Sequence, residues 1–149
     1  MQDKIETEIT VAAPIGAVWR AVTDYREFGT WFRAALDGPF TVGLVTTGKI
    51  LEPGYEGTAF WVVTREMDGP FRFAFDWPAH PDTAPEAADQ PGATTRVSFD
   101  LEKVATGTRI RLTESGFDLL PPDLSVQKFR DNQGGWVTQM GRIKAHVDG

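Results

Sequence analysis

The chain has 149 residues, 41% hydrophobic, 24% charged and 11% aromatic, an ordinary globular composition that excludes a disordered chain and amounts to one domain's worth of length. With no cysteine, disulfides, thiolate zinc sites and cysteine nucleophiles are excluded together. The 15 Lys and Arg against 21 Asp and Glu give a formal net charge of −6, the wrong sign for a phosphate backbone, and no segregated basic patch offsets it, so a nucleic-acid partner is not expected.

The opening MQDKIETE is charged and carries no apolar run, so it reads as neither a secretory signal nor an anchor, and no later stretch approaches the length of apolar chain that a membrane span needs. A cytoplasmic protein without a membrane partner is the expectation. Ile5, Thr7, Ile9 and Val11 alternate with Glu6, Glu8 and Thr10, the period of a half-buried strand. Pro14 then suits the first turn of a helix with Val18, Trp19 and Val22 on its apolar stripe, and Thr23-Asp24 caps a second short helix through Tyr25, Phe28, Trp31 and Phe32.

From Phe40 to Ser115, Gly and Pro recur at short intervals between β-branched and aromatic residues, which predicts about five consecutive antiparallel strands. One is Phe71 to Trp77, with Phe71, Phe73, Phe75 and Trp77 on one face and Arg72, Ala74 and Asp76 on the other. Val97, Phe99 and Leu101, then Ile110 and Leu112 beyond the Ala105-Thr106-Gly107-Thr108 turn, make a hairpin. The stretch from Pro78 to Gly92, with four prolines and four alanines, is too long for a tight turn and reads as a mobile surface loop able to act as a lid. Pro121-Pro122-Asp123 opens a long amphipathic helix whose stripe is Phe129, Gln133, Trp136, Met140, Ile143 and Val147. Without internal repeats or a second composition regime, residues 1–149 are expected to form one α+β domain, an antiparallel sheet of about six strands with its aromatic face covered by the last helix.

This order of elements, and several strings within it, resemble the SRPBCC or START-like (Bet v 1-like) superfamily, most closely the family named for homology to the heat-shock-protein-90 ATPase activator. The strings are Val11-Ala-Ala-Pro14, Val18-Trp19, Val22-Thr23-Asp24, Trp31-Phe32, Gly48-Lys-Ile50, Pro53-Gly54-Tyr55-Glu56, Phe73-Ala-Phe75-Asp-Trp77, Gly107-Thr108-Arg109, Glu114-Ser115-Gly116-Phe117 and Gly134-Gly135-Trp136. The resemblance implies a helix-grip fold, a curved sheet wrapped around the C-terminal helix, and a cavity between them that in various relatives holds lipids, hormones or polyketides. It does not imply one activity.

Several motifs drop out. Gly43-Leu-Val-Thr-Thr-Gly48-Lys49-Ile50 fits a phosphate loop until Ile50 replaces the magnesium-holding Ser or Thr, and Pro53-Gly54 follows where a helix should begin. His80 and His146 have no neighbouring carboxylate at ligand spacing, and Ser98, Ser115 and Ser125 lack a nucleophile-elbow frame, so neither a metal nor serine hydrolysis is expected, and no cofactor is called for. Glu114 continues the inward phase of Ile110 and Leu112, which aims a carboxylate at the cavity as a polar anchor, acid or base; a strand bend at Ser115-Gly116 would instead leave it at a wet rim or in a turn.

The candidate ligand-binding set joins Phe73, Phe75, Trp77 and Phe99 of the sheet face to Trp136 and Met140 of the last helix, with Trp31, Tyr55, Trp61 and Glu114 around them. Rings in such a set mostly pack as core, but a face so rich in them opposite one helix is expected to leave some facing a void. The leading expectation is therefore binding of a small apolar or aromatic molecule under the Pro78 to Gly92 loop. An enzyme of the cyclase or hydrolase kind would need Glu114, Tyr55 or Asp76 near the ligand, and Asp76 points outward. A chaperone-activator-like interaction module ranks third, since a chain of this length is expected to hold this domain and no further partner-binding segment. Gly134, Thr138, Gly141 and Ala145 line the far side of the last helix, where close approach of a second subunit would explain the glycines and give a homodimer.

Overall fold

The computed structural model describes residues 3–149, so Met1 and Gln2, which begin the stretch read as carrying no leader, lie outside the described residues. β1 (Lys4–Val11) keeps its alternation, with Ile5 and Val11 buried and Lys4, Glu6 and Glu8 exposed. Pro14 sets the entry to α1 (Ile15–Thr23), where Val18 and Val22 are buried. Asp24 then caps α2 (Tyr25–Phe32): its carboxylate accepts the otherwise orphaned N–H groups of Arg26 and Glu27 at 2.9 and 3.2 Å.

α2 ends on Arg33, whose left-handed backbone (φ 66°) turns the chain directly into β2 (Ala34–Leu36). The turn is close enough that a Cβ at Gly29 would overlap the carbonyl oxygen of Ala34. Next come β3 (Val45–Ile50), β4 (Ala59–Asp68), β5 (Arg72–Pro78), β6 (Thr94–Val104), β7 (Gly107–Ser115) and α3 (Pro122–Asp148). The strands form one antiparallel sheet in the order β1-β7-β6-β5-β4-β3-β2. Seven strands replace the expected six or so because β2 is three residues long, too short to show any period, and is held as an edge by pairing with β3. The phosphate-loop look-alike runs into β3, with strand β4 rather than a helix after it.

Two strips of sequence need correcting. Phe71 precedes β5 and is 53% exposed, so the aromatic face of that strand is Phe73, Phe75 and Trp77 alone. On α3, Trp136, Met140 and Ile143 are buried as expected, but Gln133 is exposed and Asn132 takes its place toward the sheet. The far end of α3 is tied down where Asp148 accepts the N–H groups of Ala12 and Ala13 at 3.1 and 3.0 Å, which draws its carboxyl below the ordinary aspartate range.

The long loop between β5 and β6 is not a lid over the helix-facing side. Its Thr83 carbonyl accepts from the Trp61 indole N–H at 3.1 Å and its Asp89 pairs with Arg65 at 2.8 Å, which folds most of it over the other face of β4. Its beginning, Ala79 to Pro81, lies on the helix side. No helix among the described residues is long and apolar enough to cross a membrane.

The concave side of the sheet is filled by α2 as well as by α3. Phe28 lies edge-on to Phe75 with centroids 6.2 Å apart, Trp31 lies edge-on to Phe99 at 6.4 Å, and Phe32 meets Phe60 and Trp77 at 5.4 and 6.1 Å. Each buried ring contributes about 2–3 kcal/mol. All of this depends on α2 being held in place by its cap, so D24A should cost about 1 kcal/mol in urea unfolding, with a value below a few tenths showing that the cap is dispensable.

Candidate functional site

Glu114 is completely buried, on the row of the sheet face that runs Phe75, Val97, Glu114, Ile5 across four strands. A bare carboxylate there would cost several kcal/mol, so it needs donors. Four side chains supply them. Trp136 Nε1–H donates to Oε1 at 2.9 Å, the Thr95 hydroxyl to Oε2 at 2.6 Å, and the Asn132 amide to both oxygens at 3.0 and 3.1 Å. The Trp77 Nε1–H is shared, reaching Glu114 Oε2 and the Thr95 hydroxyl oxygen at 3.0 Å each. Apart from the Trp77 to Thr95 branch, every bond is donated to the carboxyl group, and together they use the acceptor directions it has. Asn132 and Trp136 stand one helical turn apart, so a single face of α3 reads the carboxylate.

This arrangement fixes two indoles. Trp77 and Trp136 stack with centroids 5.5 Å apart and an interplanar angle of 25°, and Phe99 meets Trp136 edge-on at 5.9 Å. Along the flank of α3 runs a groove of three adjoining clefts. The middle one, about 180 Å³, is lined by Phe32, Trp77, Asn132, Gly135, Trp136 and Gln139. On one side, sharing Phe32, Gly135 and Gln139, lies a cleft of about 350 Å³ that also takes in Ile50, Tyr55 and Arg142. On the other, sharing Asn132, lies one of about 380 Å³ between Ala79, His80 and Pro81 and the helix residues Leu124, Lys128 and Asp131.

The groove is apolar in the middle and charged at its ends. Gln139 Oε1 is buried at its wall with no hydrogen-bond partner among the described residues. In the 350 Å³ cleft, Glu52 is gripped by Arg142 at 3.0 Å and Arg33 at 3.1 Å, and the Arg142 bond does most to hold its carboxyl below the ordinary glutamate value. At the other end Lys128 Nζ lies 5.8 Å from the centre of the Trp77 ring.

The candidate residues separate into three groups. Trp77, Trp136 and Tyr55 line the groove, Tyr55 being 67% exposed on the turn after β3, and Glu114 lies beneath the indoles. Phe73, Phe75, Phe99, Trp31 and Met140 line none of these clefts. They are buried, the three sheet rings packing on one another within 6.4 Å and the Trp31 indole donating to the Ala21 carbonyl at 2.8 Å. Trp61 is on the wrong side of the sheet: Phe60 and Val62 face the core while Trp61 lies under the β5–β6 loop. Asp76 is outward as expected, clamped by Arg65 and Arg96 at 2.8 Å each. Asn132, Lys128, Gln139 and Phe32 enter the site unforeseen; the spacing of Lys128, Asn132 and Trp136, four residues apart, was the available signal for the first two.

Of the two histidines, His80 is exposed on the wall of the 380 Å³ cleft, and His146 pairs with Glu27 at 3.0 Å. The described residues contain no cluster of three or more metal-ligating side chains. On the outer side of α3, Gly134, Thr138, Gly141 and Ala145 are exposed, and added Cβ atoms at the two glycines would meet only open space.

Residues 12–148 match the model of the family described as Activator of Hsp90 ATPase homolog 1-like protein. Compared with curated proteins, the sequence has no significant match. Among solved structures it is similar to protein MLL2253 from Mesorhizobium loti (19% identity, TM-score 0.76, 97% of this chain and 96% of that one). It is also similar to the Aha1 dimer from Colwellia psychrerythraea (18% identity, TM-score 0.73, covering 99% and 97%). A third likeness is to DynU16, from the dynemicin biosynthetic locus (22% identity, TM-score 0.72); it covers 99% of this chain but 48% of DynU16, so the chain spans about half that protein's length. At these identities the likenesses establish the helix-grip fold.

The bonding at Glu114 makes a sharp prediction. E114Q replaces an acceptor oxygen with an amide that must face an indole or amide N–H, so it should destabilise the protein by about 3 kcal/mol, and near-ultraviolet circular dichroism should lose the fixed tryptophan signal. A variant as stable as wild type would show that the carboxylate does not hold α3 to the sheet.

Proposed function

We propose, for a chain that belongs to the family of Activator of Hsp90 ATPase homolog 1-like proteins, that it binds a small apolar or aromatic molecule in the groove between α3 and the Phe32 and Trp77 side chains. The observation that carries the reading is the middle cleft. Its walls include two indoles held by Glu114 and the Phe32 ring, and its polar equipment is small: an unpartnered Gln139 oxygen and the Asn132 amide. Rigid apolar walls with a few placed polar groups are what ligand sites are made of. A buried acceptor without a donor costs about 1–3 kcal/mol, so a ligand that brings a hydroxyl or N–H to Gln139 removes that cost on binding.

Binding is favoured over catalysis by what the titratable groups are doing. Glu114 has its acceptor directions filled by protein donors, and Asp76 sits on the opposite face between two arginines. That leaves Tyr55 alone of the three groups an enzyme of the cyclase or hydrolase kind would use, and it lies in the neighbouring cleft. The reading includes a homodimer formed through the exposed stripe Gly134, Thr138, Gly141 and Ala145, supported by the dimeric Colwellia structure. Light scattering at high concentration that returned the mass of a single chain would exclude the dimer.

Gly135 offers the test of the groove itself, because it lines two clefts and a Cβ added there meets nothing within 4 Å, so a longer side chain enters their space without displacing the helix backbone. Titration with 2-naphthol should quench tryptophan emission saturably in the wild type. G135L should weaken that binding about tenfold or more while leaving far-ultraviolet circular dichroism unchanged. Absence of saturable quenching, or equal affinity in both proteins, would rule the groove out as the binding site.

A further inference from the structure

Lys128 places a cation in the groove with no direct polar partner. Its Nζ makes no hydrogen bond or ion pair among the described residues, yet the side chain is half-buried against Trp77 and lines the 380 Å³ cleft. At the opposite end of the groove Arg33 and Arg142 both hold Glu52, in a set partly open to water. The ordinary reason for tucking a lysine against an indole is to cover apolar surface with its stem, but that leaves the head in water, where burial would not weigh on it.

Resting on the reading above, we propose that the groove takes a small aromatic carboxylate, its ring in the middle cleft beside Trp77 and its carboxylate in the 380 Å³ cleft against the Lys128 ammonium. The two clefts meet at Asn132, so one molecule spans both. A single carboxylate fits better than a doubly charged phosphate, because Glu114 and Asp131 already face Lys128 and would repel added negative charge. His80, on the opposite wall, supplies a further polar contact from the β5–β6 loop.

The titration of the lysine supports this geometry. Burial lowers the Lys128 amine below the ordinary lysine value even though the charges of Glu114 and Asp131 oppose the change. The site therefore strips more solvation from the ammonium than its two carboxylates return, and an anion placed in the cleft supplies the difference.

The experiment compares 2-naphthoate with its neutral isostere 2-naphthamide by calorimetry on three proteins. Wild type should bind the acid about tenfold or more tighter than the amide, a charge-assisted contact against a neutral one. K128M, which keeps the stem on Trp77, should lose that preference, and K128R should retain it. Equal binding of acid and amide by wild type, or a preference that survives in K128M, overturns the carboxylate site while leaving the aromatic groove standing. Failure of wild type to bind either compound overturns both.

Discussion

The buried Glu114 carboxylate is the constraint from which the rest of the helix-facing side follows. Apolar contact alone would let α3 rotate or slide on the sheet at small cost, because rings and aliphatic chains have no strong directional preference. A carboxylate in that seam changes the problem. It cannot be left without donors, and its donors come from β5, β6 and two consecutive turns of α3. Slipping the helix by one residue would remove Asn132 and Trp136 together and strand the charge. The register of α3 is thus set by a polar contact inside an aromatic layer, and the parallel indoles of Trp77 and Trp136 are its visible product.

The same layer explains where the open space is. A curved sheet gripping one helix would enclose a hollow, and the aromatic wealth of β5 and β6 encouraged that expectation. What fills the hollow is α2, whose Phe28, Trp31 and Phe32 reach Phe75, Phe99 and Trp77 across the concave face. With these rings interlocked, the groove runs along the helix flank, where Gly135 contributes no side chain and Phe32 forms a wall. Gly135 has a local consequence: a larger residue there would stand in the groove.

Much of the fold was legible because its signals are local. Alternation along Ile5 to Val11 and along Ile110 to Glu114 survives in the burial of β1 and β7, and the Asp24 cap needs only its own turn. β2 was not legible, since Ala-Ala-Leu has no period and its strand character comes from pairing with β3. Trp61 misled for a related reason. The run Phe60-Trp61-Val62-Val63 is apolar on both sides because the β5–β6 loop buries its outer face, and a residue's side cannot be read from a run without alternation. The site was half legible. The inward phase of Glu114 followed from its strand, whereas its donors lie 18 to 37 residues away in sequence, beyond any pattern in the chain.

The polarity of the groove gives direction to anything bound in it. At the β3 end, Arg33 and Arg142 share Glu52, all three partly open to water, so added charge there is well screened and gains little. At the β5 end Lys128 is partly desolvated and has no direct polar partner among the described residues, and the lower local dielectric magnifies a new charge contact. Between them the ring walls and the Gln139 oxygen reward a flat molecule with one donor. A ligand with a charged end and a flat body therefore has one orientation that puts its charge against the desolvated Lys128 and a reversed one that leaves it at a water-screened ion-pair cluster, and this asymmetry, rather than the size of any single cleft, is what selects its chemistry.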